Sequence, residues 1–172
     1  IGGGHFLDVR RPEVVDFIFE YMPRDEWNVF ERDSRIEIHG TQIGHPFEAN
    51  IWQLPRELQQ MYLASIKEAG CNNGVQQPFK FTEWLRWKLG DAITDNYMLP
   101  YNRKLYGDNL DKLGTYWLEK LPNVSYEETL LSCRERKPYG TQPGHAQFYY
   151  PKRYGFGEVF RRMAAELGER IL

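Results

Sequence analysis

Proline and glycine cut this chain into short segments, and the apolar spacing inside each segment decides what it can fold into. Pro12 opens residues 12–22, where Val14, Val15, Phe17, Ile18 and Tyr21 recur at helical spacing, and Pro23 stops them. Residues 55–69 repeat the pattern with Leu58, Met61, Tyr62, Ser65 and Ile66, ended by Gly70. Residues 81–89 predict a helix capped by Thr82 and broken at Gly90-Asp91. Another follows over 92–99, and Pro100 bends the chain into a last turn through Lys104. Residues 115–120 and 126–133 read as short helical pieces on either side of Leu121-Pro122-Asn123. Residues 156–167 read as a helix whose core face is Phe156, Val159, Phe160, Met163 and Leu167. Residues 71–78 and 137–144 are loops.

Extended segments are fewer. A glycine loop leads into one that ends at Leu7, and residues 27–30 form another. In residues 35–39, Ile36 and Ile38 alternate with polar neighbours, and Gly40-Thr41-Gln42 turns the chain into residues 43–47. Residues 148–150 form a strand ended by Pro151. The expected fold class is α+β, a mostly helical bundle with a small antiparallel sheet that the strands at 35–47 and 148–150 share.

Several functions are set aside by composition. A chain of 172 residues, 41% hydrophobic, holds one sizeable core or two small ones. Basic and acidic residues number 22 and 24, so no global positive field calls for nucleic acid. No apolar run approaches the ~18 residues of a membrane span, and no secretory leader is seen. Cys71 and Cys133 lie far apart outside any CxxC pair, which reads as two free thiols in a reducing cytoplasm. His39 and His45 flank a hairpin without a third ligand, so no metal is expected. There is no Walker A sequence. The glycines at 2–4 lack the preceding strand and following helix of a dinucleotide fingerprint. Ile1-Gly2-Gly3-Gly4-His5, with no initiator methionine, reads as the middle of a motif. The expectation is a piece of a larger enzyme.

The stretch Pro100-Tyr101-Asn102-Arg103-Lys104-Leu105-Tyr106-Gly107 carries the ligand signal. It sets two rings, an amide and two cations within one or two turns, a mix better suited to a polar, ring-bearing ligand than to a core. Five Trp and eleven Tyr add rings with polar handles. Each residue has a plainer alternative. Tyr101 can be a core ring, Asn102 can cap a turn, and His5 can bond loop backbone.

Four blocks in common order resemble the UDP-galactopyranose mutases, especially the eukaryotic type. More broadly they resemble the flavoproteins that include protoporphyrinogen and amine oxidases. The blocks are Gly3-Gly4-His5-Phe6; His45-Pro46-Phe47-Glu48-Ala49-Asn50-Ile51 with Leu54-Pro55; Phe81-Thr82-Glu83-Trp84 through Pro100-Tyr101-Asn102-Arg103-Lys104-Leu105-Tyr106; and Phe148-Tyr149-Tyr150-Pro151-Lys152-Arg153-Tyr154-Gly155-Phe156-Gly157. The resemblance covers nearly the whole chain. It implies that residues 1–172 are the substrate-binding, cap-side insert of an FAD-dependent enzyme whose Rossmann parts lie outside this chain.

The resemblance also implies roles. Gly3, Gly4 and His5 lie against the flavin, with His5 the catalytic contact. His45, Glu48, Asn50, Tyr101, Asn102, Tyr106, Lys120 and His145 face a nucleotide sugar. Five positions depart from the family pattern: Tyr106 stands for Trp, Lys120 for a diphosphate-gripping Arg, Glu48 for Gln, His145 for Asn and His45 for Tyr. Lys keeps the charge and loses the bidentate fork. FAD is expected in the full-length parent and not on this piece. The expected partners are the substrate and the FAD-binding domain. The alternatives are the cap of a protoporphyrinogen/amine oxidase-type oxidoreductase, recognised by an apolar tunnel, and a non-catalytic carbohydrate- or protein-binding module, recognised by a flat aromatic surface.

Overall fold

A computed structural model describes residues 6–8, 11–118, 123–140 and 147–168. The chain divides into two compact units: Ser34–Pro143, which is continuous, and Ile1–Asp33 with Gly144–Leu172, which is not. The α+β expectation holds. The single shared sheet does not, because the strands fall into two separate sheets.

In the discontinuous unit, β1 (Leu7–Asp8) and β2 (Trp27–Glu31) flank β5 (Gln147–Pro151) in antiparallel order β1-β5-β2. Tyr149 pairs with both Leu7 and Val29. Helices α1 (Pro12–Tyr21) and α7 (Gly157–Leu167) complete the unit. Its core joins Leu7, Val15, Ile18, Met22, Trp27, Tyr149 and Val159. The Trp27 indole also donates to the Met22 carbonyl at 2.9 Å, which satisfies its buried N–H. Arg162 forks onto Glu26 at 2.7 and 2.8 Å and reaches Glu158 at 3.0 Å, tying α7 to the turn before β2. The expected core faces of both helices are too wide. Val14 and Phe17 on α1, and Phe160 and Leu167 on α7, are exposed, because one three-stranded sheet covers only a narrow stripe of each helix.

The continuous unit is a helical bundle carrying a hairpin. Its strands β3 (Arg35–Ile38) and β4 (Thr41–Gly44) turn through His39 and Gly40, at φ +51° and +68°. Two successive positive φ values make the tight turn that matches strand twist. The turn therefore comes one residue earlier than the sequence suggests. Phe47 opens the short helix α2 (Phe47–Asn50) rather than ending a strand, and all four α2 residues are buried. Next come α3 (Arg56–Lys67) and α4 (Phe81–Ile93).

Gly90 stays inside α4 as a kink at φ +74°, ψ 175°. There a Cβ would lie 2.1 Å from the Ser65 carbonyl oxygen. The expected break is thus a bend that lets α4 close on α3. The Ala92 N–H donates to Ser65 Oγ at 2.9 Å, and Thr94 Oγ1 donates to the Gly90 carbonyl at 2.7 Å.

A π-helical turn, Thr94–Met98, runs into α5 (Leu99–Tyr106). Pro100 sits in the first turn of α5, directly after the π turn, so the helical run continues past it to Tyr106 rather than ending at Lys104. Thr82 does not cap α4. Lys80 holds that position, and the Thr82 hydroxyl donates to Asp111 instead. Residues 115–118 form turns, not the start of an α-helix, and the rest of that segment lies outside the described residues.

Helix α6 (Tyr126–Glu135) opens on a full capping box between Ser125 and Glu128. The unit's core runs from Ile36, Ile38 and Ile43 through Phe47, Ile51, Tyr62 and Ile66 to Phe81, Leu85, Leu89 and Ile93. Trp84 and Trp117 pack against it partly buried, while the Trp87 indole bonds the Val75 carbonyl. Both cysteines are free thiols. Among the described residues no helix is long and apolar enough to cross a membrane, and no cluster of three metal-ligating side chains exists.

Candidate functional site

An aromatic ladder runs through the continuous unit and ends at Tyr101. Tyr62 is fully buried on α3 and meets Phe47 edge-on at 5.0 Å. Phe47 stacks on Tyr97 at 5.0 Å and 17°, and Tyr97 stacks on Tyr101 at 5.7 Å and 27°. Tyr101, at 46% exposure, is where the ladder reaches solvent. Tyr97 and Tyr101 are four residues apart across the join of the π turn and α5, which puts both rings on one side.

That exposed end opens into a cleft of about 260 Å³. One wall is β3, with Arg35, Ile36 and Glu37. The other is the π turn and the start of α5, with Asn96, Tyr97, Pro100, Tyr101 and Lys104. The lining carries two cations, Arg35 and Lys104, one carboxylate, Glu37, and the Tyr101 ring. The arrangement suits a ligand with a planar or sugar ring and an anionic group.

Glu48 sits behind the ladder. It is 8% exposed, and desolvation pushes its carboxyl pKa up, against the pull of its own backbone N–H and of Lys88. Burial likewise raises the Tyr97 phenol, helped by Tyr101 and by Glu48. A carboxylate here is thus held toward its neutral form, in which it can donate a hydrogen bond. Asn50 is also buried. Its amide donates to the Pro46 carbonyl at 2.8 Å and its oxygen accepts from Gln53 at 2.9 Å, while Gln53 accepts from the Gly44 N–H at 3.1 Å. This chain of bonds fixes the link from β4 to α2. His45 is half-buried in the same link.

Asn102 and Tyr106 share another face of α5, since residues four apart align and neighbours diverge. Asn102 is 5% exposed and donates to the Met98 carbonyl one turn back at 2.7 Å. Tyr106 is half-exposed, with its ring 6.1 Å from Trp117. The structure therefore brings Tyr101 and Glu48 to the same ladder and sets Asn102 beside Tyr106. Neither Asn102 nor Tyr106 lines the Tyr101 cleft. Gly3, Gly4, His5, Lys120 and His145 lie outside the described residues.

Sequence reasoning missed Arg35, Asn96 and Tyr97. The signal for Tyr97 was its four-residue spacing from Tyr101. Arg35 and Asn96 carried none, because the hairpin and the π turn meet only in the fold.

No protein-family model matches the chain. Among solved structures, a crystal structure of reduced UDP-galactopyranose mutase superposes with a TM-score of 0.86 at 24% identity. The match covers 98% of this chain and 36% of that chain. The described fold is thus shared from end to end with about a third of that protein.

Proposed function

We propose that this chain is the substrate-binding part of a flavin-dependent enzyme acting on a nucleotide sugar, in the manner of the mutase whose fold it shares. The supporting observation is the Tyr97–Tyr101 stack opening between Arg35 and Lys104, within a fold matched over 98% of the chain. Tyr101 offers a face for a base or sugar ring, and Lys104 offers a charge to phosphate. Small-molecule pockets run to about 300–1,000 Å³, so a cleft of about 260 Å³ suits one ring-bearing portion of such a ligand. Tyr106, half-exposed on the neighbouring face of α5, would serve the remainder.

FAD, when bound in the parent, supplies the redox-active nucleophile. Among the described residues no glycine-rich turn joins a strand to a helix to seat a dinucleotide. The contribution of these residues is to bind, orient and shield the substrate, with the FAD-binding part of the parent as partner. Two free thiols fit a reducing, cytoplasmic setting.

NMR titration of the chain with UDP tests the reading. Tyr97 and Tyr101 should shift before the α7 signals, with a dissociation constant of about a millimolar or weaker, because part of the pocket is supplied elsewhere. Lys104→Ala should remove the effect. Shifts spread evenly over the chain, or none, would refute it.

One observation favours the binding-module alternative. Phe79 and Tyr116 are 80% and 86% exposed and flank Gly114, forming an aromatic platform that does not line the Tyr101 cleft.

A further inference from the structure

Two opposite charges share the Tyr101 cleft without neutralising each other. Side chains alternate along β3, so Ile36 and Ile38 are buried while Arg35 and Glu37 are exposed on the other face, where both line the cleft. Across it, Tyr97, Tyr101 and Lys104 follow one another at four and three residues through the π turn and α5, a spacing that keeps them on one side. Tyr97 covers one face of the Tyr101 ring at 5.7 Å, and the other face is the open one. Among the described residues, the Glu37 carboxylate and the Lys104 ammonium have no hydrogen bond or ion pair, with each other or with any neighbour. An anion and a cation held apart beside a ring complement a ligand that carries hydrogen-bond donors and a negative group on one ring.

We propose that Glu37 is the specificity-determining residue of this cleft: its carboxylate accepts from two neighbouring hydroxyls of a saccharide ring lying on Tyr101, while Lys104 holds the phosphate that the ring bears. An ionised carboxylate only accepts, and its two oxygens match two adjacent O–H donors. It repels a bare phosphate, and a uracil ring would set a carbonyl acceptor on each side of its N–H. The ring on Tyr101 is therefore the sugar and not the base. An analogue lacking one hydroxyl of the pair leaves the carboxylate short of a partner, which is how a site built around a hydroxyl rejects it. The inference rests on the Tyr101 cleft being a ligand site. The ribose of a nucleotide and a hexosyl phosphate both offer such a pair, and the choice of probes separates them.

The test is NMR titration of the full chain, unsubstituted and as Glu37→Ala, with UDP, 2′-deoxy-UDP, glucose 1-phosphate and inorganic pyrophosphate. The Glu37 side chain lies opposite the buried Ile36 and Ile38, so its removal leaves the hairpin's packing intact. Glu37→Ala should weaken UDP or glucose 1-phosphate about tenfold. It should leave pyrophosphate unchanged or tighter, because a nearby negative charge has gone. If ribose is the ring, 2′-deoxy-UDP binds the unsubstituted chain about tenfold more weakly than UDP, and Glu37→Ala has no further effect on it. If a hexose is the ring, UDP and 2′-deoxy-UDP bind alike in both chains and only glucose 1-phosphate weakens. Unchanged or tighter binding of both UDP and glucose 1-phosphate in Glu37→Ala would make Glu37 a solvated surface charge. Equal weakening of every probe, pyrophosphate included, would make it a support of the hairpin. Either result overturns the assignment and leaves the cleft as a binding site. If no probe moves the Tyr101 signals, the proposed function falls and the role of Glu37 falls with it.

Discussion

Glu48 is the residue whose environment departs furthest from its chemistry. It lies almost wholly out of water, and desolvation raises its pKa against the pull of its own backbone N–H and of Lys88. An acid with a raised folded-state pKa binds more protons folded than unfolded, so stability falls as pH rises. The contribution is intact below the ordinary carboxylate range and is lost as pH climbs through the elevated folded value. Glu48→Gln keeps the shape without the charge. It is expected to raise the denaturation midpoint at neutral pH and to change nothing in acid, as urea unfolding across pH would show. A gain of the same size at every pH would mean that burial of the charge is not the cause. Glu26 runs the opposite way. The Arg162 fork lowers its pKa, so its contribution is present at neutral pH and fades as pH falls through the carboxylate range. Arg162→Leu should therefore destabilise the discontinuous unit at neutral pH more than in acid.

Helices were the most legible elements, and the joints between them the least. The spacing of Tyr62 and Ile66, and of Leu85 and Leu89, reports a buried stripe directly, and both helices appear where that stripe lies. Gly90 was visible as a punctuation mark, but punctuation does not say whether a helix stops or kinks. The answer depends on Ser65, 25 positions earlier, whose carbonyl needs the space a Cβ would take. The face of α5 also stayed hidden. Tyr101, Asn102 and Tyr106 looked like one cluster, and the π turn before α5 decides which of them meets the hairpin. The Asn102 amide, legible as a ligand contact or a cap, instead bonds a carbonyl one turn back. Gly90→Ala is the sharpest check at this scale. It combines a backbone region reserved for glycine with a collision against backbone, and it should cost at least about 3 kcal/mol. Thermal unfolding measures it. A loss of less than about 1 kcal/mol would show that α4 can straighten without α3 resisting.

At the scale of the whole molecule, the chain carries two cores of unequal independence. The discontinuous unit needs strands from both ends of the sequence, since β5 pairs with β1 and β2. Every described element of the candidate cleft lies in the continuous unit, Ser34–Pro143. The purified 172-residue chain should be colourless, because its sequence has no dinucleotide fingerprint to hold flavin. A stoichiometric flavin absorbance would show a seat that the fingerprint does not describe. Ligand capacity should follow the continuous unit alone. Residues 34–143 have their own apolar core, their own hairpin and all of the aromatic ladder, and their His45 N–H bonds the Ser34 carbonyl at 3.2 Å, which ties down the leading end. Expressed alone, that segment should unfold cooperatively and keep the UDP-dependent shifts of Tyr97 and Tyr101 within about threefold of the full chain's affinity, a difference under ~1 kcal/mol. A folded segment that no longer responds to UDP would move the site to residues outside 34–143. The cleft between Arg35 and Lys104 would then be a surface groove and not a binding site.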